Sequence, residues 1–165
     1  MKKILLSLAM AITAIGASAQ NTYNVRAGGG VLGVLNDDAA AAFTTMAQAN
    51  ISLNDYGSWT FSPAVQIATD GDDTAAMLHI NMGYRTRIGN NCLFVPKVGV
   101  AGGSLGDSND GMFLVGPSID LALELKHFVI GLTGFYSINK AMELYDYYED
   151  ECNIPMVSLT LGYTF

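Results

Sequence analysis

The stretch Val157-Ser158-Leu159-Thr160-Leu161-Gly162-Tyr163-Thr164-Phe165 alternates large apolar residues with small or polar ones up to a final phenylalanine. Such alternation marks a β-strand with one apolar and one polar face. Soluble domains usually close on a few loosely ordered residues, whereas here the pattern persists to the last position. The same period recurs upstream in segments of about ten residues separated by turn signals. Eight segments can be marked, at roughly 23–35, 43–53, 59–69, 76–88, 93–102, 112–125, 128–138 and 154–165.

One parity of each segment is apolar. In the second segment Phe43, Ala47, Ala49, Ile51 and Leu53 oppose Thr44, Met46, Gln48, Asn50 and Ser52. The fourth sets Leu78, Ile80, Met82, Tyr84 and Ile88 against His79, Asn81, Gly83, Arg85 and Arg87. The sixth sets Phe113, Val115, Ile119, Leu121, Leu123 and Leu125 against Gly116, Ser118, Asp120, Ala122 and Glu124. The connections 54–58, 89–91 and 126–127 are short, while 36–42, 70–75, 103–111 and 139–153 are mostly longer and hold twelve of the fifteen acidic residues.

Residues 1–19 begin with Lys2 and Lys3, continue through an apolar run and close on Ala17-Ser18-Ala19. This reads as a secretory signal peptide, leaving residues 20–165 as one domain. Without Lys2 and Lys3, six basic residues face fifteen acidic ones, a net charge of −9. A nucleic-acid partner, which needs a basic face, is excluded. No window of the mature chain holds the apolar run of a spanning helix, which takes about 20 residues.

Short turns at one rim, longer polar loops at the other and an even strand number describe an all-β, eight-stranded, antiparallel, up-and-down transmembrane barrel. Aromatic residues gather near the strand ends. Tyr23, Trp59, Phe61, Phe94, Phe128, Tyr163 and Phe165 lie toward the short-turn rim, and Phe43, Phe113 and Tyr136 toward the other. That distribution fits two interfacial belts. Pro63, Pro96 and Pro117 each remove a ladder donor inside a strand, so local bulges are expected there. The run Gly28-Gly29-Gly30 could host another, shifting the phase of Leu32 and Val34, which point inward on simple parity. The competing architecture is a soluble lipocalin-type barrel with its apolar face inside. The charges on the inward parity argue against it, because a dry core tolerates them poorly.

The signal peptide, the eight segments, the strand Val95-Pro96-Lys97-Val98-Gly99-Val100 and the closing Tyr163-Thr164-Phe165 resemble the small OmpA/OmpX-like barrels of Gram-negative outer membranes. The resemblance extends to the outer-membrane β-barrel domain family common in Bacteroidetes. It implies an outer-membrane location among lipids and lipopolysaccharide. It also implies that Tyr163 and Phe165 form the signal read by the barrel-assembly machinery.

Arg26, Arg85, Arg87 and Lys97 are expected in the lumen with Asp120 and Glu124, paired because isolated buried charge is costly. The cluster reads as a polar plug or as the lining of a narrow, porin-like channel. Tyr145, Tyr147, Tyr148, Glu149, Asp150 and Glu151 are the candidate surface for an extracellular partner, since tyrosine supplies contact area at low entropic cost. The runs Asp70-Gly71-Asp72-Asp73 and Asp107-Ser108-Asn109-Asp110-Gly111 lack the spacing and closing glutamate of an EF-hand. A lipid-modifying enzyme ranks third. No His-x-Ser pairing occurs, and a general base needs a nucleophile within reach. No catalytic residue, cofactor or metal site is expected. Cys92 and Cys152 belong at opposite rims, too far apart for the roughly 4.4–6.8 Å Cα separation of a disulfide.

Overall fold

The computed structural model describes residues 21–33, 39–53, 58–71, 74–106, 111–138 and 155–165. Among the described residues nine strands lie in one antiparallel sheet: β1 (Thr22–Gly33), β2 (Ala39–Ser52), β3 (Trp59–Thr69), β4 (Thr74–Tyr84), β5 (Thr86–Ile88), β6 (Cys92–Gly106), β7 (Gly111–Leu125), β8 (Phe128–Tyr136) and β9 (Pro155–Thr164). β1 pairs with β9 and β4 pairs with β6, so the sheet closes on itself. β4 and β5 keep one register along β6 and act as a single stave. The chain is therefore an all-β, closed, eight-stave antiparallel barrel.

Its stagger follows from the pairings. Thr22 pairs with Asn50, and the Ser62 hydroxyl donates to Asn50 Oδ1 at 2.9 Å. The row continues through Asn81, Gly99, Ser118, Phe135 and Met156 to Leu32. One circuit thus returns to β1 ten residues beyond its start, from Thr22 to Leu32. With a rise of about 3.3 Å per residue and strands about 4.8 Å apart, that stagger tilts the strands by about 40°. An eight-stranded barrel has an interior just wide enough for side chains to fill.

The wall has the polarity of a barrel that lives in hydrocarbon. Leu78, Ile80 and Met82 of β4, Val98 and Val100 of β6, and Val157, Leu159 and Leu161 of β9 are all exposed on its outside. Between them, His79, Asn81, Ser158 and Thr160 are buried in the lumen. Aromatic rings collect at the rim that carries turns 89–91 and 126–127. Trp59 meets Tyr84 edge-on at 5.1 Å, and Tyr163 meets Phe165 at 5.0 Å and Phe128 at 6.2 Å.

Three expectations change. First, none of the prolines produces a bulge, because every register runs one-to-one through them. In an antiparallel strand the N–H and C=O of a residue point to the same neighbour, so each proline disturbs a single flank. Pro63 keeps its partner Ile80 in β4 while the β2 ladder skips from Gln48 to Ile51. Pro96 keeps Leu121, but the opposite ladder breaks between Gly83 and Thr86, which is what divides β4 from β5. Pro117 keeps Val100, and the β7–β8 ladder ends beside it at Ser118.

Second, β1 pairs without interruption from Thr22 to Gly33, so Gly28-Gly29-Gly30 holds no bulge and the phase at Leu32 does not shift. Val34 lies outside the described residues. Third, β2 begins at Ala39 and β6 runs to Gly106, which shortens two of the expected loops to 34–38 and 107–110. Alanine and glycine are poor strand formers alone, but partners on both sides of a closed sheet override that preference. The connection 137–154 remains the long one. Cys92 is a free thiol at the start of β6 on the short-turn rim, and Cys152 lies outside the described residues.

Gly28 shows how tightly the closing seam is built. A Cβ there would overlap the Leu159 carbonyl and the Thr160 Cα of β9. Gly28→Val should weaken the β1–β9 seam by about 1–3 kcal/mol. The expected readout is a lower midpoint in urea unfolding of the refolded barrel, followed by the loss of its heat-modifiable gel shift.

Candidate functional site

Four strands place side chains on one carboxylate of a fifth at mid-lumen. Arg26 of β1 donates from Nη1 to Asp120 Oδ1 at 2.9 Å and from Nη2 to Oδ2 at 3.0 Å, a two-pronged contact. Lys97 of β6 donates from Nζ to Oδ2 at 2.8 Å. Gln48 Nε2 of β2 reaches Oδ2 at 3.1 Å, and the Thr133 hydroxyl of β8 reaches Oδ1 at 3.2 Å. Asp120 itself stands on β7. Gln48 also accepts from Arg26 at 3.3 Å, from Lys97 at 3.0 Å and from Asn24 at 3.2 Å. Arg26, Lys97 and Asp120 are each only 1 % exposed.

The local reason is parity. Arg26, Gln48, Lys97, Asp120 and Thr133 all occupy inward positions of strands whose other face is apolar. Arg26 needs extra room, which Gly131 and Gly162 supply. A Cβ on Gly131 would overlap the guanidinium, and one on Gly162 would press on the Arg26 stem.

The other sequence candidates fall differently. Glu124 is buried, and the contact it makes is with Asn50 Nδ2 at 3.5 Å rather than with a cation. Arg85 is half-buried at the short-turn rim, where it donates to the Thr22 hydroxyl. Arg87 is exposed, which corrects its expected place in the lumen. Its strand lies beyond the break opposite Pro96, at the edge of the barrel where the interior opens to water. Tyr145, Tyr147, Tyr148, Glu149, Asp150 and Glu151 lie outside the described residues. Tyr163 and Phe165 are exposed in the aromatic cluster of the short-turn rim.

Toward the long-loop rim the lumen changes character. Ala42, Ala68, Ala75, Met77, Ala101, Leu105, Leu114, Phe135 and Met156 form a buried apolar cluster there. His79 lies between this cluster and the charged layer, fully buried. Its ring nitrogens have no protein partner among the described residues. Closer to the short-turn rim, Val95, Ala122 and Val129 form a second, smaller apolar group. Among the described residues no group of three or more His, Cys, Asp or Glu side chains could hold a metal ion.

The same architecture is found in solved structures. Neisserial surface protein A superposes with a TM-score of 0.71 over 88% of this chain and 96% of its own, at 12% identity. The fold is that of the small outer-membrane β-barrels. Ail, the attachment invasion locus protein of Yersinia pestis, matches with a TM-score of 0.55 at 12% identity, covering 88% of this chain and 97% of its own. The N-terminal barrel domain of Pseudomonas aeruginosa OprF gives 0.52 at 13% identity over 87% and 97%. No family model matches the sequence, and no curated protein matches it significantly.

Asp120 serves two buried cations at once, so removing its charge should cost more than removing that of Glu124. Breaking one member of a buried ion pair costs about 3–5 kcal/mol in a dry interior, and less where water can enter. Asp120→Asn should lower the urea midpoint, read by Trp59 fluorescence, clearly more than Glu124→Gln does. Equal effects would show that Asp120 is not the hub.

Proposed function

We propose that this chain is a non-enzymatic outer-membrane β-barrel with a closed lumen, presenting its long-loop rim to the exterior as an interaction surface. One observation carries the reading: the Arg26–Asp120–Lys97 network ties strands across the lumen, beneath an apolar cluster. A side-chain layer that joins opposite walls stiffens the barrel, and an apolar layer above it disfavours a water column. The outer wall agrees with the membrane placement, since every stave exposes large apolar side chains on its outer face.

The names of two structural neighbours, a surface protein and an attachment invasion locus protein, fit a surface role. In this reading residues 1–19 direct export. Tyr163 and Phe165 are recognised by the assembly machinery, and residues 145–151 contact the extracellular partner. Lipopolysaccharide and phospholipid surround the wall. Kinship with the Bacteroidetes-type barrel domain family rests on the strand layout and on the closing Tyr163-Thr164-Phe165.

In planar bilayers the purified protein should show no steady conductance. Asp120→Asn should stay silent too, because the apolar cluster remains, whereas Asp120→Asn combined with Leu114→Ser should flicker. Steady current through the wild type would reject the closed lumen and establish a channel. In cells, deletion of Phe165 should cut the yield of heat-modifiable, membrane-extracted barrel severalfold, with little change in the unfolding midpoint of the fraction that assembles. Unchanged yield would remove the assembly role.

A further inference from the structure

The outer wall carries an apolar groove of about 710 Å³ near the short-turn rim, where β7, β8, β9 and β1 meet. Its floor passes over Gly162. Leu161 and Ala27 stand on one side, and Tyr163 and Phe128 on the other. Ala27 is the small member of that wall and leaves the groove open toward β1. At its rim end the turn 126–127 joins β7 to β8.

Two features of this turn call for an explanation. Lys126 has a φ of 56°, the left-handed conformation that glycine or asparagine adopts without strain. The two-residue turn between Leu125 and Phe128 requires it, and lysine stands where glycine or asparagine is usual. His127 stacks on Tyr163 with ring centroids 5.5 Å apart and planes within 9°. Tyr163 lines the groove, so the stack joins the turn to it, and the exposed Lys126 lies between the groove-lining Leu125 and His127 in the chain. Among the described residues, the charges at this rim are Arg85, Arg87, Lys126 and the terminal carboxylate of Phe165, with Glu124 turned inside. Asp55 lies in the β2–β3 connection outside the described residues.

We propose that Lys126, His127 and Tyr163 hold the phosphate of an anionic phospholipid, one acyl chain of which lies in the groove over Gly162. The inference rests on the outer-membrane reading. Its chemistry is complementary at both ends of the ligand. A cation and two donors face an anion that accepts charge-assisted hydrogen bonds. Below them an apolar trough follows, at the level where amphipathic rings mark the membrane boundary. A second copy placed symmetrically on the groove would set one Lys126 against the other, which like charge disfavours.

The test uses the full-length barrel refolded in detergent micelles doped with equal amounts of phosphatidylglycerol and phosphatidylcholine of matched chains, read by native mass spectrometry. One phosphatidylglycerol should be retained in roughly fivefold preference, the effect of about 1 kcal/mol from one lysine near a lipid surface. Lys126→Gly removes the cation and relaxes the turn. It should abolish the preference without lowering thermal stability, which separates binding from folding. Ala27→Phe fills the groove and should reduce retention of both lipids.

Equal retention of the two lipids by the wild type, or a preference surviving in Lys126→Gly, would overturn the site. Two copies per complex in place of lipid would overturn it as well. A chain that forms a heat-modifiable barrel in lipid yet shows no preference refutes this inference alone. A chain that forms no such barrel refutes the outer-membrane reading beneath it.

Discussion

Hydrocarbon offers no partner to a backbone N–H or C=O, so a sheet inserted in it must satisfy its own polar groups and leave no edge. The closed register of this barrel meets that demand through the β1–β9 and β4–β6 pairings. The stagger of ten residues sets the tilt, and the tilt sets the width of the lumen. The prolines show which departures such a sheet accepts. Losing a rung on one flank leaves the register intact, whereas a slipped register would turn every polar lumen residue of that strand toward lipid. Pro63, Pro96 and Pro117 all fall in the tolerated class.

Inside that frame the lumen is sorted by chemistry along its length. The carboxylate of Asp120 is shared by Arg26 and Lys97, with Gln48 and Thr133 completing its shell. Charged groups buried this deeply are tolerated only when each has partners of good geometry. The apolar cluster of Met77, Leu114, Phe135 and Met156 needs no such arrangement and packs as an ordinary core. The barrel therefore combines a directional lock, which fixes how strands face each other, with a non-directional filler above it.

Most of the frame was legible in the sequence because period-two alternation carries both the strand and its facing. The inward placing of Arg26, Lys97, Asp120 and Glu124 follows from parity alone. What parity lacks is height. Arg87 shares the inward phase of β4 and β5, yet it lies beyond the barrel's closed section and is exposed. Gln48 and Thr133 carry no signal that marks them as ligands of a carboxylate, since the contacts arise across strands far apart in sequence. Met77 and Leu114 sit at lumen positions where an apolar residue breaks the expected polar set. That irregularity was the available hint of the upper cluster. The alanines at 39–42 read as loop because strand propensity is weak evidence beside ladder pairing on both flanks.

The sorting of the lumen also bears on how such a barrel reaches its place. In the orientation proposed, the strand tips at the long-loop rim must traverse the whole bilayer, while the opposite ends stay at the surface where insertion begins. Behind the acidic connections, the travelling tips carry large apolar side chains on both faces. Met77, Leu105 and Leu114 line the inside there, and Phe113, Val115 and Val157 the outside. Arg26, Lys97 and Asp120 trail behind them and meet one another only as the wall closes. A charged side chain at the bilayer centre costs roughly 2.5–3.5 kcal/mol on insertion scales. The acidic long connections cross first and carry most of that cost, so the apolar layer behind them adds no further charge until the wall closes around Asp120.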